Sequence, residues 1–182
     1  YESMFTNSTG NQNIAMGISS LYSNTTGENN VALGYAAMFN NSTGNNNTAA
    51  GTFALQTNTA SNNTAFGSTA LQSNTTGTAN TANGATALQA NTTGSGNTAN
   101  GRSALLSNTT GSDNTSVGSG SLQLNTTGYE NVALGSNALT SNINGNNNVA
   151  LGKNALELNT SGDFNVASGS NALKSNTTGY RN

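Results

Sequence analysis

Hydrophobic and polar positions recur along this chain with a period of 17 residues. One glycine of each unit returns at this spacing from Gly17 to Gly169, except for a single step of 16 residues between Gly51 and Gly67. A disordered tract has no reason to keep an apolar side chain in phase over ten copies, whereas a stacked core does. The repeat therefore predicts a solenoid. Its predicted core ladder consists of the apolar residues four positions after each glycine: Leu21, Met38, Leu55, Leu71, Leu88, Leu105, Leu122, Leu139, Leu156 and Leu173.

The segment before each of these glycines has the alternation of a β-strand. It reads N-V-A-L-G at residues 131–135 and N-T-A-F-G at residues 63–67, and its second position is always β-branched. A strand places that residue and the residue before the glycine on one face, and the alanine on the other. N-T-T-G predicts a turn. The A-L-x-x segment after the glycine fits either a second short strand or a single helical turn.

Each unit has the length of one coil of a β-solenoid and is too short for the paired helices of helical repeats. We therefore predict an all-β, parallel β-solenoid (β-roll) of about eleven 17-residue coils, as a single repeat array over residues 1–182. At the normal strand spacing of ~4.8 Å per coil, the array is a rod of roughly 50 Å. Stacked coils also place successive asparagines above one another, where their side chains form amide ladders.

The predicted core is thin. The residues directly before the glycines include Asn83, Asn100 and Ser168, so this column is not uniformly apolar. One leucine and a few small side chains per coil bury little apolar area against the backbone entropy of ordering that coil. We expect further stabilisation from intertwined or side-by-side copies of the chain, or from bound glycans. Neither end has an atypical capping coil, so we expect this segment to be an excerpt of a longer fibre or a continuous filament.

The composition argues against several classes of partner. The chain has 36 Asn, 28 Thr and 22 Gly, and its 4 basic and 6 acidic side chains give a net charge of −2. A folded surface is normally charged at about a quarter to a third of its residues, so amides, hydroxyls or attached sugars must keep this chain in solution. Such a weak field argues against nucleic acid or an anionic membrane as a partner. No apolar run approaches the ~20 residues of a membrane span.

The sequence contains no recognisable catalytic or metal-binding pattern. It has no His and no Cys, which excludes metal sites and activated nucleophiles built on those side chains. Glu28, Asp113, Glu130 and Asp163 fall after the N-T-T-G turns in scattered coils, as solvated charges do. They form neither a catalytic carboxylate pair nor the regular Asp column of calcium-binding β-rolls. We predict no enzyme activity, no catalytic or metal-binding residue and no cofactor.

One chemical signal recurs in the turns. The first Asn of most units begins an N-x-[S/T] sequon, which accepts an N-linked glycan on an exposed turn of a secreted chain. Asn58 and Asn142 occupy the same position without the sequon. The alternative is that N-T-T-G is only turn chemistry in a chain rich in Asn and Thr. The candidate glycosylation sites are Asn7, Asn24, Asn41, Asn74, Asn91, Asn108, Asn125, Asn159 and Asn176.

A column of threonines suggests a second binding chemistry. Regular Thr arrays on flat solenoid faces can order water and bind ice. Val or Ile at the same position in other coils instead fits an ordinary half-buried strand position. The Tyr and Phe residues are too scattered to predict a platform for stacking sugars or bases. The column consists of Thr48, Thr64, Thr81, Thr98 and Thr115.

Two segments carry a resemblance to a known family. Asn131 to Leu139 and Asn148 to Leu156 read N-V-A-L-G-S-N-A-L and N-V-A-L-G-K-N-A-L. They resemble the head repeat of trimeric autotransporter adhesins, and the N-T-T-G-x-x-N-T-A-x-G pattern is also similar to repeats of phage tail-fibre-like proteins. The resemblance covers essentially the whole chain and implies a left-handed parallel β-roll, three chains in one rod and a head that binds host surfaces. The longer unit, and the polar residues at an aliphatic position, depart from the adhesin pattern.

These observations give a leading hypothesis and two alternatives. The leading hypothesis is a non-enzymatic, extracellular structural or adhesive fibre segment on a cell or virion surface, a stiff rod that presents a surface or a tip. Its partners are copies of itself, in a homotrimer or a head-to-tail filament, together with covalent glycans or surface carbohydrate. The first alternative is a solenoid module whose flat face binds glycans or ice. The second is a single-chain filament coated with N-glycans.

Overall fold

The computed structural model describes residues 2–182, which contain ten β-strands of three residues each. All ten pair in parallel and in chain order within one sheet. The strands are β1 (Ile14–Met16), β2 (Val31–Leu33), β3 (Thr48–Ala50), β4 (Thr64–Phe66), β5 (Thr81–Asn83), β6 (Thr98–Asn100), β7 (Thr115–Val117), β8 (Val132–Leu134), β9 (Val149–Leu151) and β10 (Val166–Ser168). Each lap of the chain returns to lie on the previous one, which confirms the predicted parallel β-solenoid. The strand-bearing coils number ten and not eleven, because the partial coils at the two ends of the described residues contribute no strand.

The register of the sheet is regular throughout. Equivalent positions of neighbouring units pair with each other, as in Val132 with Val149 and Ala133 with Ala150. The single 16-residue step leaves this register intact, since Thr48 still pairs with Thr64. The missing residue falls in the turn, where N-T-A replaces N-T-T-G, so the turn absorbs the deletion and the strand does not.

The alternation within each strand is as predicted. The middle residue, alanine in every strand except β7, points into the coil and is buried from β2 to β10. The first and third residues point outward; Met16 is 71% exposed and Leu134 is 40% exposed. The column directly before the glycines therefore lies outside the core, and the expectation that it forms part of a thin core is wrong; the alanine between the two outward residues takes that place. Asn83 and Asn100 in this column face solvent and do not interrupt the apolar interior.

The predicted leucine ladder forms the core. Nine of its ten members, from Leu21 to Leu156, are completely buried, and each packs beside the buried alanines or serines of its own and neighbouring coils. Leu173, in the last coil, is 39% exposed because no described coil lies on it. Burying one leucine side chain contributes roughly 1.5–3 kcal/mol. The hydrophobic stabilisation is therefore spread evenly along the rod, one leucine per coil.

The segment after each glycine is neither the second strand nor the helical turn that the sequence allowed. It is a tight bend in which two residues have positive φ, as at Thr86 (φ 60°) and Leu88 (φ 51°). The left-handed region costs most side chains roughly 1–2 kcal/mol per residue. The bend turns Leu88 into the core, where complete burial offsets this cost.

The glycine that ends each strand is required by the stacking of the coils. Gly135 has a φ of 139°, a conformation that other residues rarely adopt. A Cβ atom at this position would also lie 2.6 Å from the carbonyl carbon of Gly152 in the next coil. The coils thus approach each other through glycine backbones at this corner.

Candidate functional site

The asparagines of the N-T-T-G turns form a continuous ladder inside the solenoid. Nδ2 of Asn91 donates to Oδ1 of Asn74 in the preceding coil (2.8 Å) and to the carbonyl oxygen of Gly94 in its own turn (2.9 Å). Oδ1 of Asn91 accepts from Nδ2 of Asn108 in the following coil (2.7 Å). Equivalent bonds join all neighbouring turns of the described residues. The predicted amide ladder is therefore confirmed.

Burial of this ladder overturns the expectation that its asparagines stand on exposed turns. Nδ2 is the atom that would carry an N-linked glycan, and in the inner coils it donates both of its hydrogens to buried acceptors. A folded inner coil therefore has no room for a glycan at these buried asparagines. Asn7 is exposed and Asn176 is half-buried, and both lie in the end coils. The completely buried candidates are Asn24, Asn41, Asn74, Asn91, Asn108, Asn125 and Asn159.

A second ladder is formed by the asparagine that directly precedes each strand. Oδ1 of Asn80 accepts from both the backbone N–H of Asn97 (3.0 Å) and its Nδ2 (3.1 Å). Nδ2 of Asn97 also donates to the carbonyl oxygen of Gly111 in the next coil (2.8 Å). Each side chain thus bonds to the coils on both sides. The sequence marked this asparagine only as a consensus position; its presence in every unit was the signal that it has a structural role.

The outward residues of the ten strands form one continuous surface, which we call the outer face. It consists of the first and third residues of β1 to β10 and carries no charged side chain. β2, β8 and β9 each place Val and Leu on it, whereas β5 and β6 each place Thr and Asn on it. The predicted threonine column lies in the middle of this face, with Thr81 and Thr98 exposed.

Charged side chains lie on the two flanks of the outer face and are separated by sign. Arg102 and Lys153 follow β6 and β9, at the first position after the strand glycine, and both are exposed. Asp113, Glu130 and Asp163 precede β7, β8 and β10 by two or three residues. Between β6 and β10, the flank that follows the strands is therefore basic and the flank that precedes them is acidic.

Three aromatic side chains stack on one another away from the outer face. The rings of Phe5, Tyr22 and Phe39 lie one coil apart, with centroid distances of 5.2 and 5.1 Å and interplanar angles of 11° and 3°. The same column continues as a glutamine ladder from Gln56 to Gln89. Because the rings cover each other's faces, this stack offers little free aromatic face to a sugar.

Residues 2–182 form no cavity, and no three acidic side chains within them lie close enough to hold a metal ion. No helix in this part of the chain has the length and apolar character needed to cross a membrane.

Comparison of the chain with known protein families, with curated proteins and with solved structures finds no match. Function is therefore inferred from the columns and surfaces described above.

Proposed function

We propose that this chain is a non-enzymatic structural segment of an extracellular fibre, a stiff rod that holds a tip or a coat away from a cell or virion surface. The observation that carries this proposal is the continuity of bonding along one axis. Sheet hydrogen bonds, two asparagine ladders and the leucine stack all run in the same direction through every strand-bearing coil. Displacing one coil sideways would break hydrogen bonds in the sheet and in both asparagine ladders, and would disrupt the leucine packing at the same time.

The geometry also suits a spacer of adjustable length. Each coil contacts only its two neighbours, so further units lengthen a solenoid without changing its fold. The ten strands alone span about 43 Å at the normal strand spacing. The outer surface is covered mainly by uncharged amides and hydroxyls, as we expect for a surface exposed to changing ionic conditions outside a cell.

Self-association is part of this proposal. A lone chain has a thin core, with one leucine per coil. The resemblance to adhesin heads implies a homotrimer, and stacked coils also allow a head-to-tail filament. The outer face supplies an uncharged surface through which copies can pack.

Immuno-electron microscopy of the source organism and its virions tests this function. Antibodies raised against the folded chain should label filaments that project from a cell or particle surface. Antibody pre-absorbed with the same chain is the control and should label nothing. Label confined to the cell interior, or surface filaments that remain unlabelled, would contradict the proposal.

A second candidate function is the ordering of water or ice by the threonine column. The observation that favours it is the outward position of five register-paired threonines on a flat sheet at the ~4.8 Å strand spacing. Thermal hysteresis at high protein concentration would support it. The matched control is Thr81→Val with Thr98→Val, because valine is native in this column at Val132 and Val149. Hysteresis that survives in the control would show that the threonines are not responsible.

A further inference from the structure

We propose that the outer face binds a second copy of this chain, with the two rods parallel and equivalent strands at the same height. Although the surface carries few charges, this face exposes large apolar side chains along the two ends of a regular sheet. Exposed apolar patches of this kind mark a site of interaction. The most exposed apolar side chains on it are Ile14, Met16, Phe66, Leu134 and Val166.

The pattern on the face identifies the occupant. Apolar residues of β1 to β4 and of β7 to β10 enclose the Thr and Asn residues of β5 and β6. A covering partner must therefore present polar groups at the middle and apolar surface on both sides of it. A second copy in register meets this requirement because every strand faces its own equivalent. Thr81 then lies opposite Asn83 of the second copy, and their hydroxyl and amide groups are complementary hydrogen-bonding partners.

The charges on the flanks select the direction of pairing. A two-fold axis parallel to the rods reverses the strand direction, so the basic flank of one copy lies beside the acidic flank of the other. Lys153, beside β9, is then offset along the rod axis by one strand spacing from Glu130 (β8) and Asp163 (β10) of the second copy, across a gap that its long side chain can bridge. Arg102, beside β6, has the same offset from Asp113 (β7) of the second copy. Antiparallel rods would instead place basic flank beside basic flank and lose these pairs.

The dimensions of the face allow a small interface between two copies. Ten strands at ~4.8 Å and three residues per strand at ~3.3 Å give about 480 Å² per copy. Twice this area is about 960 Å², at the low end of specific interfaces, so the dimer should be weak and should form at high concentration. Packed sheets lie about 10 Å apart, a gap that Val, Leu and Thr fill. Three such faces around one axis would leave a channel that short side chains such as Ala50 and Ser168 do not fill.

Sedimentation equilibrium tests the proposal directly. The chain should associate to twice the mass of the 18.2 kDa monomer. A mass of one chain at all concentrations, or of three chains, would overturn the two-fold arrangement. The double variant Leu134→Asn with Leu151→Asn should weaken dimerisation by at least about tenfold. It should still fold, because Asn83 and Asn100 are native at equivalent positions.

A matched control separates the face from general loss of leucine. Leu124 and Leu158 are exposed to a similar extent, at 46% and 42%, but lie off the outer face. Leu124→Asn with Leu158→Asn should leave the dimer unchanged, and circular dichroism should show all variants folded. Equal weakening by both double variants, or dimerisation unaffected by the outer-face pair, would overturn the proposal.

Cross-linking tests the direction of pairing, in a chain that has no native cysteine. In the parallel arrangement, two copies of Leu134→Cys place their sulfur atoms roughly 10 Å apart, within reach of a short bis-maleimide. Antiparallel rods would place them about 24 Å apart, because β8 would then face β3. Efficient cross-linking supports the parallel dimer. Its absence in a sample that sediments as a dimer would contradict that direction.

Charge reversal tests the flanks. Lys153→Glu should weaken the dimer several-fold, as the loss of exposed ion pairs does. Adding Glu130→Lys should restore most of the affinity by re-forming the pair with opposite sign. No weakening, or no recovery in the double variant, would show that the flanks do not meet. This inference rests on the self-association in the proposed function and names its surface and direction. The two fail separately, because a chain that is monomeric in solution but labels surface filaments would leave the fibre role intact.

Discussion

The inward and outward residues of the same strands differ in how freely they vary. The middle residue is alanine in nine of the strands and serine in β7. The outward residues range from Thr and Asn to Val, Met and Phe. The inward side chains must fit between coils that stack at the strand spacing, so almost any added volume collides. The outward side chains meet no part of their own chain that restricts them to one type. The constancy of the inward side chains therefore reflects the fold, which places no such restriction on the outward ones.

Asparagine shows the same contrast most clearly. Asn108 is completely buried, and its amide takes part in three hydrogen bonds that link three coils. Asn100 is exposed on the outer face, and its side chain makes no hydrogen bond within residues 2–182. One residue type thus has a structural role on the inside and a surface role on the outside, separated by eight positions in sequence.

The largest expected effect is at the glycine corner. Gly135→Ala should destabilise the chain by about 4 kcal/mol or more, because it forces an alanine into a positive φ and drives its Cβ into the backbone of Gly152. Thermal unfolding followed by circular dichroism measures this effect. Ser136→Ala, at the exposed neighbouring position, is the control and should change stability by less than about 0.5 kcal/mol. An alanine variant at Gly135 as stable as the parent would refute the close stacking of the coils.

Substitution of one buried and one outward leucine compares the core with the outer face. Leu88→Ala should cost about 3 kcal/mol, because it opens a cavity in a fully buried column. Leu134→Ala should cost the monomer less than about 1 kcal/mol, because this side chain is 40% exposed on the outer face. Urea unfolding at a protein concentration low enough to keep the chain monomeric compares them. Equal losses would mean that the outer face is part of the monomer's core.

The asparagine pair tests the ladder itself. Asn108→Ala should cost about 2 kcal/mol or more, because it leaves a buried amide N–H of Asn125 and the oxygens of Asn91 and Gly111 without one partner each. Asn100→Ala should change stability by no more than about 0.5 kcal/mol. The two variants are compared by denaturant unfolding under identical conditions. A larger loss of stability in Asn100→Ala than in Asn108→Ala would mean that the buried ladder does not stabilise the fold.

The smallest expected effect is a gain in stability at the bend. Thr86 has a φ of 60°, which a β-branched residue adopts at a cost, whereas Asn137 and Asn154 occupy the equivalent bend in other coils. Thr86→Asn should therefore raise stability by roughly 0.5–1 kcal/mol. Thr81→Asn, in the extended strand β5, is the control and should lower stability slightly. Melting temperatures that move in the same direction for both would count against a special conformation at the bend.

Much of the fold could be predicted from the sequence because the period records it directly. The glycine spacing gave the coil length, the β-branched alternation gave the strands, and the phase of Leu88 and its equivalents gave the core. The alternation did not show which face of the strand points inward, because alanine suits either face. The bend after the glycine could not be assigned. Its positive φ values arise from closing a 17-residue lap around a buried leucine, and local propensity does not favour such values in Leu or Thr.

Seven of the nine candidate glycosylation sites are buried rather than exposed, for a definable reason. N-T-T-G satisfies both an exposed sequon and a turn whose asparagine bonds to its own glycine carbonyl, and the two cannot be told apart within one unit. The distinguishing signal lay in the exceptions. Asn58 and Asn142 keep the asparagine but lose the sequon, and both occupy the buried ladder. A column that keeps its asparagine without the sequon indicates a structural role.

The most direct test of the coil-on-coil arrangement is hydrogen exchange of the asparagine side-chain amides, resolved by NMR. The ladder residues Asn91, Asn97 and Asn108 should exchange slowly, since their amide hydrogens are buried and bonded to neighbouring coils. Asn83 and Asn100 on the outer face should exchange at rates close to those of an unfolded chain. Equally fast exchange at all five positions would contradict the stacked solenoid.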